Sequence, residues 1–455
     1  MSGGITQLVA IGAQDSHIVG NPEISFFRSS FKRHTNFSSV IERQVIQNSP
    51  ANNSLSSVRF ERKGDLLSYT YFVMTNGEGT PLPMDWSTVV DKVELYIGGQ
   101  LIDSQDYDFS TKVYSDVMAP SLSRSTLGPQ PSGNLASSYF YPLKFWFCEN
   151  YQSALPLVAL QYHDVEMRIY WGSNISPYAA DVAAKLAIYT AAVNTVIANV
   201  NGGAPPANPA AAHAAYLADG SFAAAQLAAD DLITSLALAG VTVTKQGTVF
   251  PNADQITGDL FSFQGGTSSS VSFGNNAVSK ATTKPSSWSR FVYLDSDERG
   301  MLASSTSEYL IHQVQRIPAS NDKRMDLTFN HPVKFIATTS VDAGTNNTVL
   351  LQMNGVDVGE AKNPVPHYRQ VSSYYHTVSG VDSSGNKSDG FESVTMMIPF
   401  CLDASKLQPT GSCNFSRLDS SRLILSGGTF ASPVWAVNYN ILKIQNGMGG
   451  LLYAN

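Results

Sequence analysis

The residues best placed to do chemistry in this chain are few. His163 stands beside Asp164, a pairing suited to general acid–base work because a carboxylate can steer an imidazole that moves a proton. With no third group nearby in the sequence, a structural histidine at a strand end is the better reading. Cys413, in Gly-Ser-Cys-Asn-Phe-Ser, would need a histidine to become an activated thiolate, and no Cys–His pairing can be traced. His331-Pro332 reads as a turn into a strand, and His213 falls in an alanine-rich stretch that asks no role of it. The run Asn446-Gly447-Met448-Gly449-Gly450 follows the last strand and opens no helix, so it is not read as a phosphate loop. Its glycines suit a tail packed by close backbone approach. Cys148, Cys401 and Cys413 show neither a disulfide framework nor metal-ligand spacing. No catalytic residue, cofactor or metal is expected.

Asn-x-Ser/Thr sequences open at Asn36, Asn52, Asn174, Asn346, Asn386 and Asn414. Of these, Asn52, Asn174, Asn346 and Asn386 are kept as candidate glycosylation positions. Chance matches are common in a chain rich in Ser and Asn.

The elements that would position these residues are mainly strands. From about Val40, short runs rich in Val, Ile, Tyr and Phe alternate with turn residues: VIERQVIQ, SVRFERKG, LLSYTYFVMT, VVDKVELYIGGQLID. In VALQYHDVEMRIYWG, Val165, Met167 and Ile169 alternate with Glu166, Arg168 and Tyr170, the pattern of a sheet covered on one side. A second series begins near Leu310 and includes PVKFIATTS, TVLLQMNGVDVG and VWAVNYNILKI. Many short strands per half fit sandwiches or jelly rolls better than βαβ units. No sequence repeat relates the halves.

Two stretches break the pattern. Residues 178–240 are alanine-rich, with Val182, Leu186, Tyr189, Val193, Val196 and Val200 forming an apolar stripe on one predicted helix. A second helix is expected to start at Ser221 as N-cap and stop at Gly240. Strands flank this segment, so residues from about 175 to 285 read as an insertion into a β-domain. Asp295 with Glu298 suggests a short capped helix, making 296–308 a bridge between the halves. Residues 1–30 read as an extended arm, because Pro22 should hold Asn21 extended.

Composition narrows the function. Of the 455 residues, 43% are hydrophobic and 14% charged, against roughly 25% charged in ordinary domains. A net charge of −7 argues against tracking nucleic-acid phosphates. The densest basic cluster is Arg28, Lys32, Arg33 and His34, interleaved with Phe26, Phe27 and Phe31, and an arm docking on protein explains it best. Neither a signal peptide nor an apolar run of about 18 residues is visible, so a soluble protein made in the cytosol is expected.

Several blocks together resemble one family. GAQDSHIVGNPEISFFRSSFKRHTNFS (Gly12 to Ser38), VELYIGGQLID, LPLVALQYHDVEMRIYW, FVYLDSDERGMLASSTSEYLIHQVQ, LTFNHPVKF, PTGSCNFSRLDSSRLILSGG and NYNILKIQNGMGGLLYAN are similar to the major capsid proteins of large eukaryotic double-stranded DNA viruses, algal viruses above all. The resemblance implies an all-β chain of two consecutive eight-stranded jelly rolls, a double jelly roll, with the Ala-rich helical insertion in the first. The implied domains are an arm (1–30), jelly roll 1 (31–295), the bridge (296–308), and jelly roll 2 with the tail (309–455). It implies a non-enzymatic homotrimer of pseudo-hexagonal outline, tiling an icosahedral virion shell assembled in the host cytoplasm. Minor capsid proteins would be further partners, an inner membrane would lie near the arm, and no direct nucleic-acid contact is expected. The matching arm residues Asp15, Asn21, Pro22, Phe26, Phe27, Arg28, Lys32, Arg33 and His34, with Asn36 and Phe37, would anchor subunits. The insertion matches no family block and is read as an outward tower. A carbohydrate-binding jelly roll and a hydrolase on a β scaffold are the alternatives.

Overall fold

A computed structural model describes residues 4–5, 12–29, 31–121, 124, 138–202, 218–241, 244–246, 255–257, 276–339, 347–378 and 395–453. The chain falls into two compact units, Met1–Phe37 and Ser38–Asn455. Val200 lies in a described helix, but its side chain is outside the description, as are His213, Asn346 and Asn386 altogether.

In the first unit Ser16–Val19 forms a short helix, and Asp15 Oδ2 accepts the Gly12 N–H at 2.7 Å. The extended reading of this arm is corrected at two points. One is that helix; the other is Asn21, whose φ of 54° is left-handed despite the proline that follows it. Asparagine tolerates that region better than other side chains do.

The second unit is built from strands β1 (Phe37–Gln44), β2 (Leu55–Arg59), β3 (Leu66–Thr75), β4 (Val90–Ile97), β5 (Gln100–Asp106), β6 (Phe140–Pro142), β7 (Leu155–Pro156) and β8 (Val165–Trp171). Two short strands, β9 (Thr244–Gln246) and β10 (Gln255–Thr257), pair with each other before β11 (Lys284–Leu294). The later series is β12 (Ser307–Ile317), β13 (Arg324–Asp326), β14 (Pro332–Thr338), β15 (Val349–Met353), β16 (Val356–Asp357), β17 (Met396–Pro399), β18 (Cys413–Asn414), β19 (Ser421–Leu425), β20 (Val434–Gln445) and β21 (Met448–Leu451).

The sheet orders are β1-β11-β3-β6 and β2-β8-β4-β5 in the first half, then β12-β20-β14-β17 and β13-β19-β15-β16 in the second. Setting aside the short β7, β18 and β21 and the β9–β10 ribbon, and counting strands within each half, both halves read 1-8-3-6 facing 2-7-4-5. Each half is therefore an eight-stranded jelly roll, in which two sheets close over one core. Alternation fills those cores. On β8, Val165, Met167, Ile169 and Trp171 are buried between half-buried polar neighbours, and on β3 Phe72 and Met74 point inward.

The insertion leaves roll 1 after β8 and returns at β11. Its helices, Pro177–Gly202 and Phe222–Leu238, pack against each other. Val182, Tyr189, Val193 and Val196 are buried as the stripe requires, opposite Ala225, Ala229, Leu232 and Leu236. Gly240 takes φ 68°, the left-handed stop that glycine allows. Ser221 is not the capping side chain expected: it lies at the N-cap position without a side-chain cap bond, and its hydroxyl turns to Asp219. Thr283 closes the base of the insertion, its N–H donating to Ser176 Oγ at 3.2 Å. The bridge is the helix Ser296–Ser304. Asp295 Oδ1 accepts the Ser296 N–H at 2.8 Å, while Glu298 Oε2 has no partner, so the reciprocal capping box is absent.

Candidate functional site at the junction of the two rolls

The best-defined contact surface of the chain joins its own two rolls. Strand β5 is an edge of roll 1, and an edge strand exposes unpaired backbone groups that invite a partner. Asp103 on β5 accepts the Val314 N–H of β12 at 2.9 Å and the Gln105 Nε2–H at 2.8 Å. Asp106, at its end, meets Trp435 Nε1 at 3.1 Å and Arg316 Nε at 3.0 Å. Burial pushes both carboxyls upward; for Asp103, almost wholly enclosed, the pKa rises to about 7.

The chain then enters a π-helix, Phe109–Met118, which lies across the outer face of roll 2's β12-β20-β14-β17 sheet. Phe109, Val113, Tyr114, Val117 and Met118 form one apolar cluster with Phe335, Ala337, Met397, Cys401, Trp435 and Val437. The alternate residues Val333, Ile336, Met396, Val434 and Ala436 face roll 2's own core. This sheet is covered on both faces, which is why β14 and β20 are buried along most of their length rather than at alternate residues. The identity of the covering helix was not legible in the sequence.

Charges are enclosed beside this cluster. Lys144 holds its ammonium 4.5 Å from the Tyr114 ring centroid, and burial, with Arg124 nearby, lowers its pKa to about 8. Lys334 is fully buried and donates to the Lys406 carbonyl at 2.9 Å; burial lowers its pKa as well. His312 Nδ1 lies 3.8 Å from Glu149 Oε2, with both side chains nearly enclosed.

The stability sign of Asp103 follows from its direction. An unfolded aspartate titrates near 3.8, and the folded one near 7, so the fold prefers the protonated form. That contribution is complete below about pH 4 and is lost as pH rises through about 7. At about 1.4 kcal/mol per unit, the loss is on the order of 4 kcal/mol at most. Asp103→Asn is expected to flatten stability between pH 5 and 8 and to raise it at pH 8, as denaturant midpoints at both pH values would show. A variant less stable at pH 8 would contradict this.

The C-terminus makes a second clasp. β20 turns into β21 through Asn446 (φ 53°) and Gly447 (φ 77°), the left-handed pair of a type I′ hairpin. This hairpin sits on roll 1: Tyr162 N–H donates to the Gly447 carbonyl at 2.9 Å, and Leu451 N–H to Gln100 Oε1 at 3.2 Å. His163 Nδ1 lies 2.8 Å from the Gly449 carbonyl oxygen. A Cβ on Gly449 would come within 2.7 Å of Leu160 Cδ2. His163 is thus a strut of the tail, and Asp164 turns away to Arg59 at 2.5 Å, so the two form no dyad.

The other sequence candidates are dispersed. Phe26, Phe27, Arg28, Lys32, Arg33 and His34 are exposed on the N-terminal unit, and His34 stacks edge-on against Phe37. Asn52 Oδ1 accepts the Ile175 N–H at 3.0 Å, and Asn174 Oδ1 the Ser176 N–H at 3.2 Å; both carboxamides brace the base of the insertion. Cys413 pairs through β18 with Val333, and the three cysteines are free thiols. Asp103, Asp106, Lys334 and Trp435 were not singled out in the sequence. Their partners lie far away along the chain, and no local spacing marks them.

Residues 25–209 match the family described as the major capsid protein N-terminus. Over its whole length the chain is 28% identical to all of the major capsid protein of Pyramimonas orientalis virus, and 26% identical to all of that of Paramecium bursaria Chlorella virus 1. In structure it resembles the PBCV-1 virus capsid, with a TM-score of 0.58 and 22% identity over 95% of this chain and 100% of that one. The Faustovirus major capsid protein follows, at a TM-score of 0.51 and 11% identity over 96% and 94%. Whole-length similarity thus joins two rolls of identical strand order: the chain has the double jelly-roll fold and is similar to the major capsid proteins of large double-stranded DNA viruses.

Proposed function

We propose that this capsid protein, structural and without a catalytic role, assembles as a homotrimer whose six rolls make a pseudo-hexagonal capsomer. The observation that carries this is the relation between the two rolls. The 2-7-4-5 edge of roll 1 meets the outer 1-8-3-6 face of roll 2, so the contact is head-to-tail. A head-to-tail relation repeated between like units closes into a ring when the rotation allows it, and three chains supply six units. Trimers would then meet through lattice contacts, with minor capsid proteins as further partners, the arm near an inner membrane and assembly in the host cytoplasm. The carbohydrate-binding alternative gains no support from the relatives.

Light scattering tests the trimer. Three chains of 49.0 kDa give about 147 kDa, and a species of that mass resisting dilution is expected from an interface above about 2,000 Å². A stable 49.0 kDa monomer would sink the proposal. Replacing residues 179–282 by a short Gly/Ser loop should preserve that mass, because the insertion's two helices bury mainly each other's apolar faces. The cut spares Thr283 and Tyr178, which tie the base to Ser176 and Pro83. Loss of the trimer would make the insertion an interface rather than an outward tower.

A further inference from the structure

The two rolls can be aligned residue by residue through their hydrogen bonds. In roll 1 Tyr71 pairs with Pro142 and Val73 with Phe140; in roll 2 Phe335 pairs with Pro399 and Ala337 with Met397. Across the other neighbour, Tyr71 faces Trp288 as Phe335 faces Val437. The residue after each proline makes the same bond at the same length: Leu143 N–H to the Thr70 carbonyl and Phe400 N–H to the Lys334 carbonyl, both 3.0 Å. Tyr71, Val73, Phe140 and Trp288 therefore stand where Phe335, Ala337, Met397 and Val437 stand.

Their environments differ. The roll 2 set is buried beneath the π-helix that follows roll 1's fifth strand. Over the roll 1 set the described residues leave a groove of about 630 Å³, lined by Ile41, Tyr69, Tyr71, Val73, Phe140 and Lys144 among others. Phe140 is 38% exposed and Ile41 44%. Roll 2 also carries a π-helix after its fifth strand: Pro364–Val371, running on into Ser372–His376. Its Val371, Tyr374 and Tyr375 are 46%, 76% and 69% exposed. At spacings of three and four they share one helix face. Among the described residues, one roll thus has a filled groove and the other an open one, in a chain that also offers an unmatched helix.

We infer that the Pro364–His376 segment of a second copy occupies the Tyr71–Phe140 groove, repeating between chains the contact that the Phe109–Met118 helix makes within one. The aromatic pair fills the apolar floor, and Lys144 and Arg124 at the groove offer donors to a tyrosine hydroxyl. This rests on the trimer reading and assigns the surface that holds the trimer.

The test compares three variants of the full chain with the wild type by light scattering. The double variant Tyr374→Glu, Tyr375→Glu and the single variant Phe140→Glu should each fall from about 147 to 49.0 kDa. Ile188→Glu, at an exposed site on an insertion helix, should leave the mass unchanged. Melting curves of dilute samples check folding. Should a glutamate variant melt early, Tyr374→Ala with Tyr375→Ala adds no charge and should still weaken association at least tenfold. If the wild type is a trimer and the helix and groove variants remain trimers of wild-type affinity, the surface is wrong and the trimer stands. If the wild type is itself a monomer, the trimer reading falls and this surface with it.

Discussion

Trp435→Ala is expected to destabilise the chain by about 3–5 kcal/mol, as truncation of a fully buried large aromatic does. Trp435 is completely enclosed between β14 and the Phe109–Met118 helix, and its indole N–H satisfies Asp106. Removal opens a cavity in an apolar cluster shared by both rolls and leaves a buried carboxylate with Arg316 and a backbone N–H. Because that cluster couples the halves, the damage should also appear as lost cooperativity, with denaturant unfolding of dilute protein splitting into two steps. Trp435→Phe separates the causes. It retains most of the packing and loses one hydrogen bond to a carboxylate that keeps its other partners, so it should cost about 1.5–3 kcal/mol, the worth of a hydrogen bond to a charged group. An alanine variant within 1 kcal/mol of wild type would show that the rolls are held mainly elsewhere, with the C-terminal hairpin the next place to look.

Deleting residues 1–30 is expected to leave folded trimers that no longer build normal shells. The arm has little core of its own: Phe26, Phe27 and Phe31 are almost fully exposed, beside Arg28, Lys32 and Arg33. Burying each such aromatic stabilises an assembly by about 1.5–3 kcal/mol, so the two that the deletion removes, Phe26 and Phe27, would if docked on a neighbour decide whether trimers bind one another. Scattering reports the trimer, and electron microscopy of assembly reactions reports the shell. Normal shells at wild-type yield would remove the anchoring role from Asp15, Asn21, Pro22, Phe26, Phe27 and Arg28.

What was legible in the sequence was periodic or local. Alternation marked β8, a stripe of Val182, Tyr189, Val193 and Val196 marked an insertion helix, and the glycines at 447, 449 and 450 marked a tight tail. The shared strand order of the rolls was hidden, because a jelly roll needs only apolar residues at alternate positions and many sequences provide them; Pro142 and Pro399 are among the few residues held in common. The junction was hidden for another reason. Asp103 meets Val314, and Asp106 meets Trp435, across more than two hundred residues, and carboxylates on a strand edge look solvated until a second sheet arrives. Local rules also failed where local chemistry had alternatives, as at Asn21, which turns left-handed before a proline, and at Ser221, whose hydroxyl prefers Asp219.

The placement of the insertion bears on how the chain is made. β11 lies between β1 and β3 in its sheet, yet it emerges from the ribosome about two hundred residues after β3. Until then the nascent roll holds two bare strand edges, the condition under which chains misassociate. Closing so long a gap is slow when the intervening segment is a random coil. Helices form locally and fast, and once Pro177–Gly202 and Phe222–Leu238 have paired, Thr283 is delivered beside Ile175 and Ser176. The paired helices thus hold the two ends of the gap together in the folded chain, so β11 reaches its place between β1 and β3 from a short closed base rather than a long coil.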